Sequence, residues 1–456
     1  MLPCDGIQAL LLEDGNPLVM TSANRGGQPI TGDDTEALAL LREGACDIVL
    51  ANDRMIINPL DDPIYRVTEI KGKSIVQILR RARGLVPDPV TIKRKTKDDV
   101  FAAGGDMKAS FAYARDDQVF FGGHFGDLSE EEARRRRAQA EKRLEYLLDL
   151  RPGLYAADRH PGYFSLREMK DKGPELIQHH RAHLLSVAAE HGLSGKLVGA
   201  SFDGTGYGDD GNIWGGEFLI LDTGIQGGCK RAGHLMSVRL TGGDTIAYDA
   251  EKAAMCFAYE ALSRGLLLEQ EEPFSGEKYG IIKKALQNDI NVHLSSSAGR
   301  FFDACTAMLG ICMTNSYEGE CPARLQAKAE EISEDGIRES STGLKAFIVN
   351  EGEMQVVDTV RLFSDLAGMK KNGTDIRMLA YDLHLAISDA IVRCIVRAGN
   401  EAGTKKALLG GGTFANSLLI KMILPALEEK GFEVFVNEKV PPGDGGLALG
   451  QIYAVI

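Results

Sequence analysis

Three of the protein's nine histidines fall within five residues, as His179, His180 and His183 in the segment HHRAH. On a helix, His179 and His183 are four positions apart and lie on one face, where two imidazoles can bind a single metal ion. The competing interpretation is a solvated or core helix with chance histidines, and we favour the metal site. His180 stands where zinc peptidases carry Glu, which disfavours peptidase chemistry.

Two aspartates could complete such a site with carboxylate oxygens. Asp203 opens DGTGYG at the end of an apolar strand, and Asp444 lies in PPGDGGLALG, at a turn that opens a helix. Two imidazoles joined by carboxylates suit iron, manganese or zinc. Taken alone, each aspartate is more often a turn or capping residue.

Glycine-rich loops after three apolar strands indicate a phosphate site. Glycines at strand ends let backbone N–H groups approach an anion, and a following helix N-terminus adds partial positive charge. The loop residues are Gly104, Gly105 and Lys108, then Asp203, Gly204, Thr205 and Gly206, then Gly410, Gly411, Gly412 and Asn416. Three such loops in one chain favour an ATP cleft over ordinary turns. Thr21, Ser22 and Asn24, after the apolar PLVM, could hold a phosphate or a carbonyl, or equally cap a helix.

The elements that would position these residues fall into two units. The first, residues 1–92, alternates helix-like and strand-like pieces, which is typical of an α/β domain. Its helices are predicted near Ile7–Leu12 and Thr35–Leu41, and its strands at Pro17–Thr21, Asp47–Ala51, Ile64–Val67 and Ser74–Leu79.

The second unit, residues 93–456, repeats one plan: a glycine-marked β-meander followed by helices. One meander starts at Val100 and another at Lys196, with the HHRAH helix between them. Residues 240–373 are predicted to be mostly helical, followed by a long helix over Asp375–Gly399 and strands at Lys406–Leu409 and Glu433–Val436. This plan predicts two lobes, roughly 98–240 and 241–456, which face a cleft.

Composition excludes several classes of function. The net charge is −13 and no basic stripe with interleaved aromatics occurs, so nucleic-acid binding is not expected. The run Arg134–Arg137 is predicted to be a solvated helix face. The eight cysteines form no C-x-x-C pair, which indicates free thiols. No apolar run reaches membrane-spanning length and no signal-peptide pattern occurs, so the expected location is the cytoplasm.

A series of sequence motifs occurs in a fixed order along the chain. MTSAN, NDR, DDPIYRV and RRARG lie within residues 20–84. They are followed by GGDMKASF, GHFGDL, DRHPGY, HHRAH, FDGTGYGDDGNIWGGEF, GGD (242–244), YEGECPARLQAKAE, GGGTFANSLL and GDGGLALGQ. Together these motifs resemble the HypF family of hydrogenase-maturation carbamoyltransferases: the first group is similar to the C-terminal half of its YrdC-like domain, and the second group to its TsaD-like domain. The resemblance spans essentially the whole chain. It implies an α/β fold: a partial YrdC-like domain, then a two-lobed actin/hexokinase-like (ASKHA, TsaD-like) domain.

The resemblance also implies a reaction. Carbamoyl phosphate and ATP would give carbamoyl adenylate at the YrdC-like site, and the TsaD-like site would pass the carbamoyl group to the C-terminal cysteine of HypE. The product is the precursor of the cyanide ligand of [NiFe]-hydrogenase. The expected cofactors are a mononuclear iron or zinc ion, the nucleotide and magnesium, and a homodimer is one expected assembly.

Site residues follow from the matched motifs. The implied metal ligands are His179, His183, Asp203 and Asp444. The implied nucleotide loops surround Lys108, Thr205, Gly243, Glu318 and Gly411, with Asn416. We assign catalytic roles to Lys108, Asp203 and His180.

Three alternatives remain open, and the adenylation half is expected to be incomplete. The family's acylphosphatase-like domain, zinc fingers and first half of the YrdC-like domain have no counterpart in this sequence. A small-molecule O-carbamoyltransferase would place its TsaD-like domain first, whereas here Asn24 precedes His179 by about 155 residues. A phosphotransferase of the sugar-kinase type would need no histidine metal site. A protein that docks HypE without turnover is the non-enzymatic alternative.

Overall fold

The computed structural model of the chain describes residues 3, 5–24, 30–225, 228–332 and 339–456. The described strands form sheets of two, six and nine strands, and the helices pack against them. This arrangement confirms the predicted α/β class. Among the described residues, no helix combines the length and the apolar character needed to cross a membrane.

The first region, of which residues 5–24 and 30–92 are described, has little regular structure there. Its elements are α1 (Gly6–Leu11), α2 (Asp34–Arg42), β1 (Ile64–Ile70) and β2 (Lys73–Arg80). Both helices and the β1–β2 hairpin were predicted. The strands predicted at Pro17–Thr21 and Asp47–Ala51 are wrong, because neither segment pairs with a described strand and an isolated strand has no ladder to stabilise it.

A six-stranded sheet forms the next layer, in the order β3-β6-β5-β4-β7-β8. The elements are β3 (Val90–Thr91), β4 (Val100–Ala102), β5 (Ala112–Arg115), β6 (Gln118–Phe121), α3 (Glu131–Leu148), β7 (Leu154–Asp158), α4 (Phe164–Arg167), β8 (Glu175–Ile177) and α5 (His179–Glu190). Strands β4, β5 and β6 are the predicted antiparallel meander. Since β3 pairs with β6, this sheet begins slightly before the predicted boundary at residue 92.

The nine-stranded sheet contains the rest of the strands. They are β9 (Lys196–Tyr207), β10 (Ile213–Asp222), β11 (Cys229–Leu235), β12 (Val238–Thr241), β13 (Val292–Ser295), β14 (Ile348–Glu351), β15 (Met354–Val357), β16 (Lys406–Gly410) and β17 (Glu433–Val436). The helices are α6 (Ala250–Ser263), α7 (Glu277–Gln287), α8 (Ala298–Leu309), α9 (Glu320–Glu330), α10 (Thr359–Lys371), α11 (Ile376–Ala402), α12 (Ser417–Glu429) and α13 (Leu447–Val455). The segment 240–373 was predicted to be mostly helical, and that prediction missed β13, β14 and β15.

The sheets divide at a different place from the predicted lobe boundary near residue 240. Strand β9 pairs in parallel with β16, more than 190 residues later in the chain, so β9–β12 belong to the nine-stranded sheet. The division therefore falls between β8 and β9. Local patterns could not reveal this, because it depends on a pairing between distant segments.

Helix α5 lies in the core between the two sheets, and α13 packs closely along it. Eleven of the twelve residues of α5 are buried. A side chain at Gly450 would overlap the carbonyl oxygen of Ala182, so only glycine allows the two helices to approach this closely. The packing of α13 on α5 brings Asp444, just before α13, next to the start of α5.

The arginine run on α3 is not the solvated face that was predicted. The side chains of Arg136 and Arg137 are only 11% and 2% exposed. Arg136 pairs with Glu36 of α2 at 3.0 Å, and Arg137 pairs with Glu141 on its own helix at 2.9 Å. Arg136 thereby attaches the first region to α3. The seven described cysteines are free thiols, and Cys4 lies outside the described residues.

Candidate metal centre

The structure brings the four predicted metal ligands together. The Nε2 atoms of His179 and His183 are 3.1 Å apart. Asp203 Oδ2 lies 3.2 Å and 3.0 Å from them, and Asp444 Oδ1 lies 3.6 Å from each. Both imidazoles are fully buried, and the two aspartates are 8% and 9% exposed.

The separations of the donor atoms fit a small metal ion. Ligand atoms bound tetrahedrally at about 2.1 Å lie about 3.4 Å from one another, and the separations quoted above bracket that value. Two imidazole nitrogens with two carboxylate oxygens suit zinc or iron. This geometry supports the predicted ligand set, and the identity of the metal stays a prediction.

The start of α5 presents its histidines through a side-chain cap. The Gln178 side chain accepts a hydrogen bond from the backbone N–H of Arg181 at 2.8 Å, so the helix begins at His179. His179 and His183 therefore lie on consecutive turns of the same helix face. Their ring centroids are 4.7 Å apart, as the spacing of four residues predicted.

Asp203 reaches the cluster from an irregularity in β9. Trp214 of β10 pairs with Gly206, and Gly216 pairs with Phe202, so the three residues from 203 to 205 oppose a single residue of β10. Bulges of this kind redirect side chains and are common beside active sites. The DGTG segment thus forms a bulge within an otherwise regular strand.

Gly206 allows the imidazoles to approach β9. An added Cβ at this position would lie 2.5 Å from His180 Cε1 and 2.7 Å from His179 Cδ2. A larger residue would displace α5 from the strand. The glycine predicted for nucleotide binding therefore also has a packing role at the metal centre.

Asp158 holds His179 from the side opposite the cluster, and the sequence interpretation gave it no role. Its Oδ2 lies 2.7 Å from His179 Nδ1, and its Oδ1 accepts the backbone N–H of His160 at 2.8 Å. A carboxylate on one imidazole nitrogen directs the other nitrogen toward a metal ion. The motif DRHPGY contained this signal, because its aspartate ends a buried strand.

The electrostatics of the cluster attract positive charge. Burial opposes a charged imidazole, but Asp158, Asp203 and Asp444 outweigh it and raise the pKa of His179 well above its usual value. Burial also opposes a charged carboxylate, but hydrogen bonds with His179 and His183 hold the pKa of Asp203 well below its usual value. Metal binding at such a cluster would release protons.

His180 has a different environment from its two neighbours. Burial, together with the nearby His179 and His183, lowers the pKa of His180 well below its usual value. Its Nδ1 lies 3.2 Å from Gln178 Nε2, and its Nε2 has no hydrogen-bond partner among the described residues. The predicted catalytic role of His180 stays a prediction.

The first glycine loop adjoins the cluster. A Cβ at Gly105 would lie 3.1 Å from Asp444 Oδ2. Gly104 donates its N–H to Gln451 Oε1 at 2.8 Å, and Gln451 Nε2 donates to Gly104 O at 3.1 Å. Gln451 of α13, which was not predicted as a site residue, thus fixes this loop.

Lys108 and Glu318 are far apart in sequence but meet in the structure. Lys108 Nζ lies 3.1 Å from Glu318 Oε2. Burial opposes the charge of the ammonium group, yet the carboxylates of Glu318, Asp444 and Asp203 raise the pKa of Lys108. Burial raises the pKa of Glu318, and Lys108 opposes that shift. A permanent cation therefore lies beside the candidate metal centre.

The loop Gly410–Gly412 approaches the cluster from the nine-stranded sheet. A Cβ at Gly410 would lie 3.0 Å from the carbonyl oxygen of His183, and one at Gly412 would lie 3.0 Å from Asp203 Oδ1. Asn416 caps α12 by accepting the N–H groups of the next helical turn. The glycines therefore flank the cluster, whereas Asn416 has a structural contact of its own.

Other predicted site residues lack such a setting. Gly243 has a φ of 55° and faces the side chain of Asn291. Thr21, Ser22 and Asn24 are exposed in a segment without a strand, where Ser22 Oγ donates to Asn24 Oδ1 at 2.8 Å. The strand that was to position Thr21 and its neighbours is not formed, so their predicted role in binding the cofactor stays a prediction.

Three family models match successive parts of the chain. "Carbamoyltransferase, Kae1-like Domain, second subdomain" matches residues 199–451, and "HypF Kae1-like domain" matches residues 95–190. The Sua5/YciO/YrdC model, described as "Telomere recombination", matches residues 1–82. These ranges follow the first region and the two sheets described above.

Similar proteins carry the same family name. Carbamoyltransferase HypF2 of Cupriavidus necator is 33% identical over 100% of this chain and 60% of its own length. Carbamoyltransferase HypF of Synechocystis sp. is 31% identical over 100% of this chain and 59% of its own length. The chain thus spans about 60% of the length of these relatives.

Solved structures agree with the sequence matches. The crystal structure of full-length HypF in the phosphate- and nucleotide-bound form has 32% identity and a TM-score of 0.91, and the match covers 100% of this chain and 70% of that one. That of T. kodakarensis HypF has 29% identity and a TM-score of 0.80, covering 95% and 56%. These matches confirm the predicted order of a YrdC-like region followed by the carbamoyltransferase domain of HypF, and the actin/hexokinase-like description of that domain stays a prediction. The chain belongs to the HypF carbamoyltransferase family.

Proposed function

We propose that this chain transfers a carbamoyl group from carbamoyl adenylate to the C-terminal cysteine of a HypE-type acceptor in [NiFe]-hydrogenase maturation. The observation that carries the proposal is the buried cluster of His179, His183, Asp203 and Asp444, with two glycine loops beside it. Membership in the HypF family supports it further.

The transfer is an acyl substitution. The cysteine thiolate attacks the carbamoyl carbon, a new S–C bond forms, the C–O bond to the adenylate phosphate breaks, and AMP leaves. The thiol proton is lost to solvent before the attack. A metal ion held by the four ligands would supply Lewis acidity toward the carbamoyl carbonyl oxygen.

Residues of this chain would orient the adenylate. Lys108 keeps its positive charge beside the cluster, and backbone N–H groups of the glycine loops can donate to phosphate oxygens. Lys108 pairs with Glu318 at 3.1 Å. An incoming phosphate would replace Glu318 as the partner of the Lys108 ammonium group. Preorganised donors and cations of this kind stabilise the negative charge that develops on the leaving phosphate.

The alternatives make different demands on the same site. A phosphotransferase of the sugar-kinase type would use magnesium-ATP and would tolerate loss of His183. A small-molecule O-carbamoyltransferase would need the metal centre but not HypE. A docking protein would bind HypE and form no product.

The test supplies purified chain, loaded with Zn²⁺ or Fe²⁺, with preformed carbamoyl adenylate and HypE. Mass spectrometry of HypE then reports the gain of one carbamoyl group on its C-terminal peptide. His183→Ala is expected to abolish that gain, and HypE lacking its terminal cysteine serves as the matched control. A parallel reaction with carbamoyl phosphate and ATP tests whether the chain makes the adenylate itself.

The proposal would be contradicted if HypE stays unmodified although the chain binds both metal and adenosine nucleotide. Carbamoylation of a small hydroxyl compound in its place would favour the first alternative. Full activity of His183→Ala would exclude a role for the metal centre in carbamoyl transfer.

A further inference from the structure

The C-terminal end of α5 carries a buried carboxylate that none of the preceding roles uses. Glu190 is 4% exposed. Its carboxylate accepts the backbone N–H groups of Glu438 at 2.6 Å, Lys439 at 3.2 Å and Val440 at 3.2 Å. One side chain thus binds three consecutive amides of the segment that leads to Asp444.

Further donors complete the environment of this carboxylate. Asn437 Nδ2 lies 3.4 Å from Glu190 Oε2, and His191 Nε2, whose nearer partner is Val436 O at 2.8 Å, lies 3.2 Å from Oε1. Burying a carboxylate is costly unless hydrogen bonds replace its water, and charge-assisted bonds to N–H groups are among the stronger ones. The segment 437–440 is therefore held firmly against the end of α5.

The held segment is joined to Asp444 by a stiff connection. Pro441, Pro442 and Gly443 are the only residues between Val440 and Asp444, and each proline fixes its own φ. The carbonyl oxygen of Pro442 also accepts the N–H of Gly411 at 2.9 Å. A shift of the anchored amides would therefore be passed on to the Asp444 carboxylate.

We propose that Glu190 is a positioning residue for the metal ligand Asp444. Helix α5 supplies His179 and His183 at its start, and through Glu190 at its end it sets the place of a third ligand. One rigid element thereby fixes three of the four donors relative to one another. This inference rests on the proposed metal centre.

A direct electrostatic effect of Glu190 on the metal ion has to be separated from an effect through Asp444. Glu190 lies eleven residue steps from His179 and seven from His183, which correspond to roughly 16 Å and 10 Å at about 1.5 Å per residue. The carboxylate and the two imidazoles are buried, so salt screens their interaction only weakly. Glu190→Asp keeps the charge and retracts the carboxylate by one methylene, so a change of metal affinity in that variant would act through the geometry of Asp444.

The chain offers a matched control in Asp382 of α11. This aspartate is 1% exposed, and its Oδ2 accepts the N–H groups of Ser341 at 3.1 Å and Thr342 at 2.7 Å. Like Glu190, it anchors a loop to a helix by a buried carboxylate. Its loop does not lead to a metal ligand.

The experiment titrates the full chain with Zn²⁺ against a chromophoric chelator. For Glu190→Gln the Kd is expected to rise about tenfold, the usual lower range for loss of a residue that supports a metal ligand. Asp382→Asn is expected to leave the Kd unchanged. Thermal unfolding of both apo variants, measured in parallel, separates metal affinity from stability, since a merely structural role would lower the Tm without changing the Kd.

An unchanged Kd in Glu190→Gln would overturn the inference, as would an equal rise in Asp382→Asn. Glu190→Asp is titrated beside Glu190→Gln, with the same expected rise because its carboxylate is retracted by one methylene while the charge is kept. A rise in Glu190→Gln without one in Glu190→Asp would assign the effect to charge and would also overturn the inference. Failure of both Glu190 variants to fold would also overturn the inference, because it would assign Glu190 to the fold alone. If the unaltered chain binds no Zn²⁺, the proposed metal centre fails instead, so the two failures are distinguishable.

Discussion

The described residues between 5 and 60 differ sharply from helix α5 in how their side chains are packed. In α1 and α2 no residue is buried, and Val19 and Met55 are 100% and 84% exposed. In α5 every residue except Arg181 is buried. Groups that must hold a metal ion within a few tenths of an ångström need such packing, and loops rarely provide it. The difference explains why the structure assembles the histidine cluster but leaves the segment Thr21–Asn24 exposed.

The first region is attached to the rest of the chain by polar contacts and by its β1–β2 hairpin, where Ile70 belongs to the main hydrophobic core. Arg136 pairs with Glu36 at 3.0 Å, and Arg66 donates to Ala415 O at 2.6 Å. Arg81 donates to Lys439 O at 3.0 Å, in the segment that Glu190 also holds. The part before the hairpin has fewer buried side chains, so we expect substitutions there and in the core to have effects of very different size.

Two methionines give the widest contrast. Met422 of α12 is 5% exposed and Met55 is 84% exposed. Met422→Ala is expected to lower the free energy of unfolding by about 3 kcal/mol, because it leaves a cavity in the core. Met55→Ala should change it by less than about 0.5 kcal/mol, as is usual for surface positions. Chemical denaturation of both variants measures the difference, and equal effects would refute the contrast in packing.

The next largest effect is expected from a substitution in the candidate metal centre. His183→Ala removes one of four donors, and we expect the Kd for Zn²⁺ to rise by more than about 100-fold, beyond the range for residues that only support a ligand. Competition with a chelator measures the Kd. Met55→Ala is the control from the first region and should bind Zn²⁺ like the unaltered chain. If the Kd of His183→Ala lies within threefold of that of the unaltered chain, a change of about 0.7 kcal/mol in binding free energy, His183 is excluded as a ligand.

The contact between α5 and α13 is expected to be intolerant of even one methyl group. In Gly450→Ala the new Cβ would overlap Ala182 O, so the two helices must separate. Overpacking of this kind costs about 2 kcal/mol in unfolding free energy. Gly280→Ala on α7 is the matched control, since no atom lies within 4 Å of its added Cβ. There alanine should be neutral or stabilising by about 1 kcal/mol.

The support of His179 by Asp158 should have a smaller effect than loss of a ligand. Asp158→Asn keeps the shape of the side chain but removes the charge beside His179 Nδ1. We expect the Kd for Zn²⁺ to rise about tenfold, with the apo chain still folded. A Kd equal to that of the unaltered chain would show that packing alone orients the ring. Circular dichroism of the apo variant is the control for folding.

The sequence pointed to the four residues that the structure brings together, but not to the residues that support them. The i,i+4 spacing identified His179 and His183, and the motifs around Asp203 and Asp444 completed the set. Asp158 and Glu190 act through contacts with groups 21 and about 250 residues away, and no local pattern encodes such contacts. Spacing in the sequence was enough to predict contacts only where one helix carries several site residues, as α5 does.

The same limit explains the errors in the fold. A short apolar run at Pro17–Thr21 has the composition of a strand, yet a strand also needs a partner, and none is described beside it. Likewise, the meander from Lys196 resembles the one from Val100, and long-range pairings of β9 with β16 and of β11 with β15 assign it to the nine-stranded sheet. Composition identified the pieces, whereas distant pairing determined the layers.

The smallest effect is expected for the attachment of the first region to α3, and a substitution at Arg136 tests it. Its side chain is 11% exposed, reaches Glu36 in α2 and also donates to the carbonyl oxygen of Ile30. Arg136→Ala should release α2 at a cost of about 1 kcal/mol, the size expected for a partly buried ion pair with few neighbours. Limited proteolysis should then cleave residues 43–60 faster, while Zn²⁺ affinity stays unchanged. Arg135→Ala is the matched control, because Arg135 is 55% exposed and its ion pair is with Glu132 of the same helix. Equal cleavage rates in the two variants would mean that other contacts hold the first region, and a weaker Zn²⁺ affinity would mean that the two regions are coupled rather than separate.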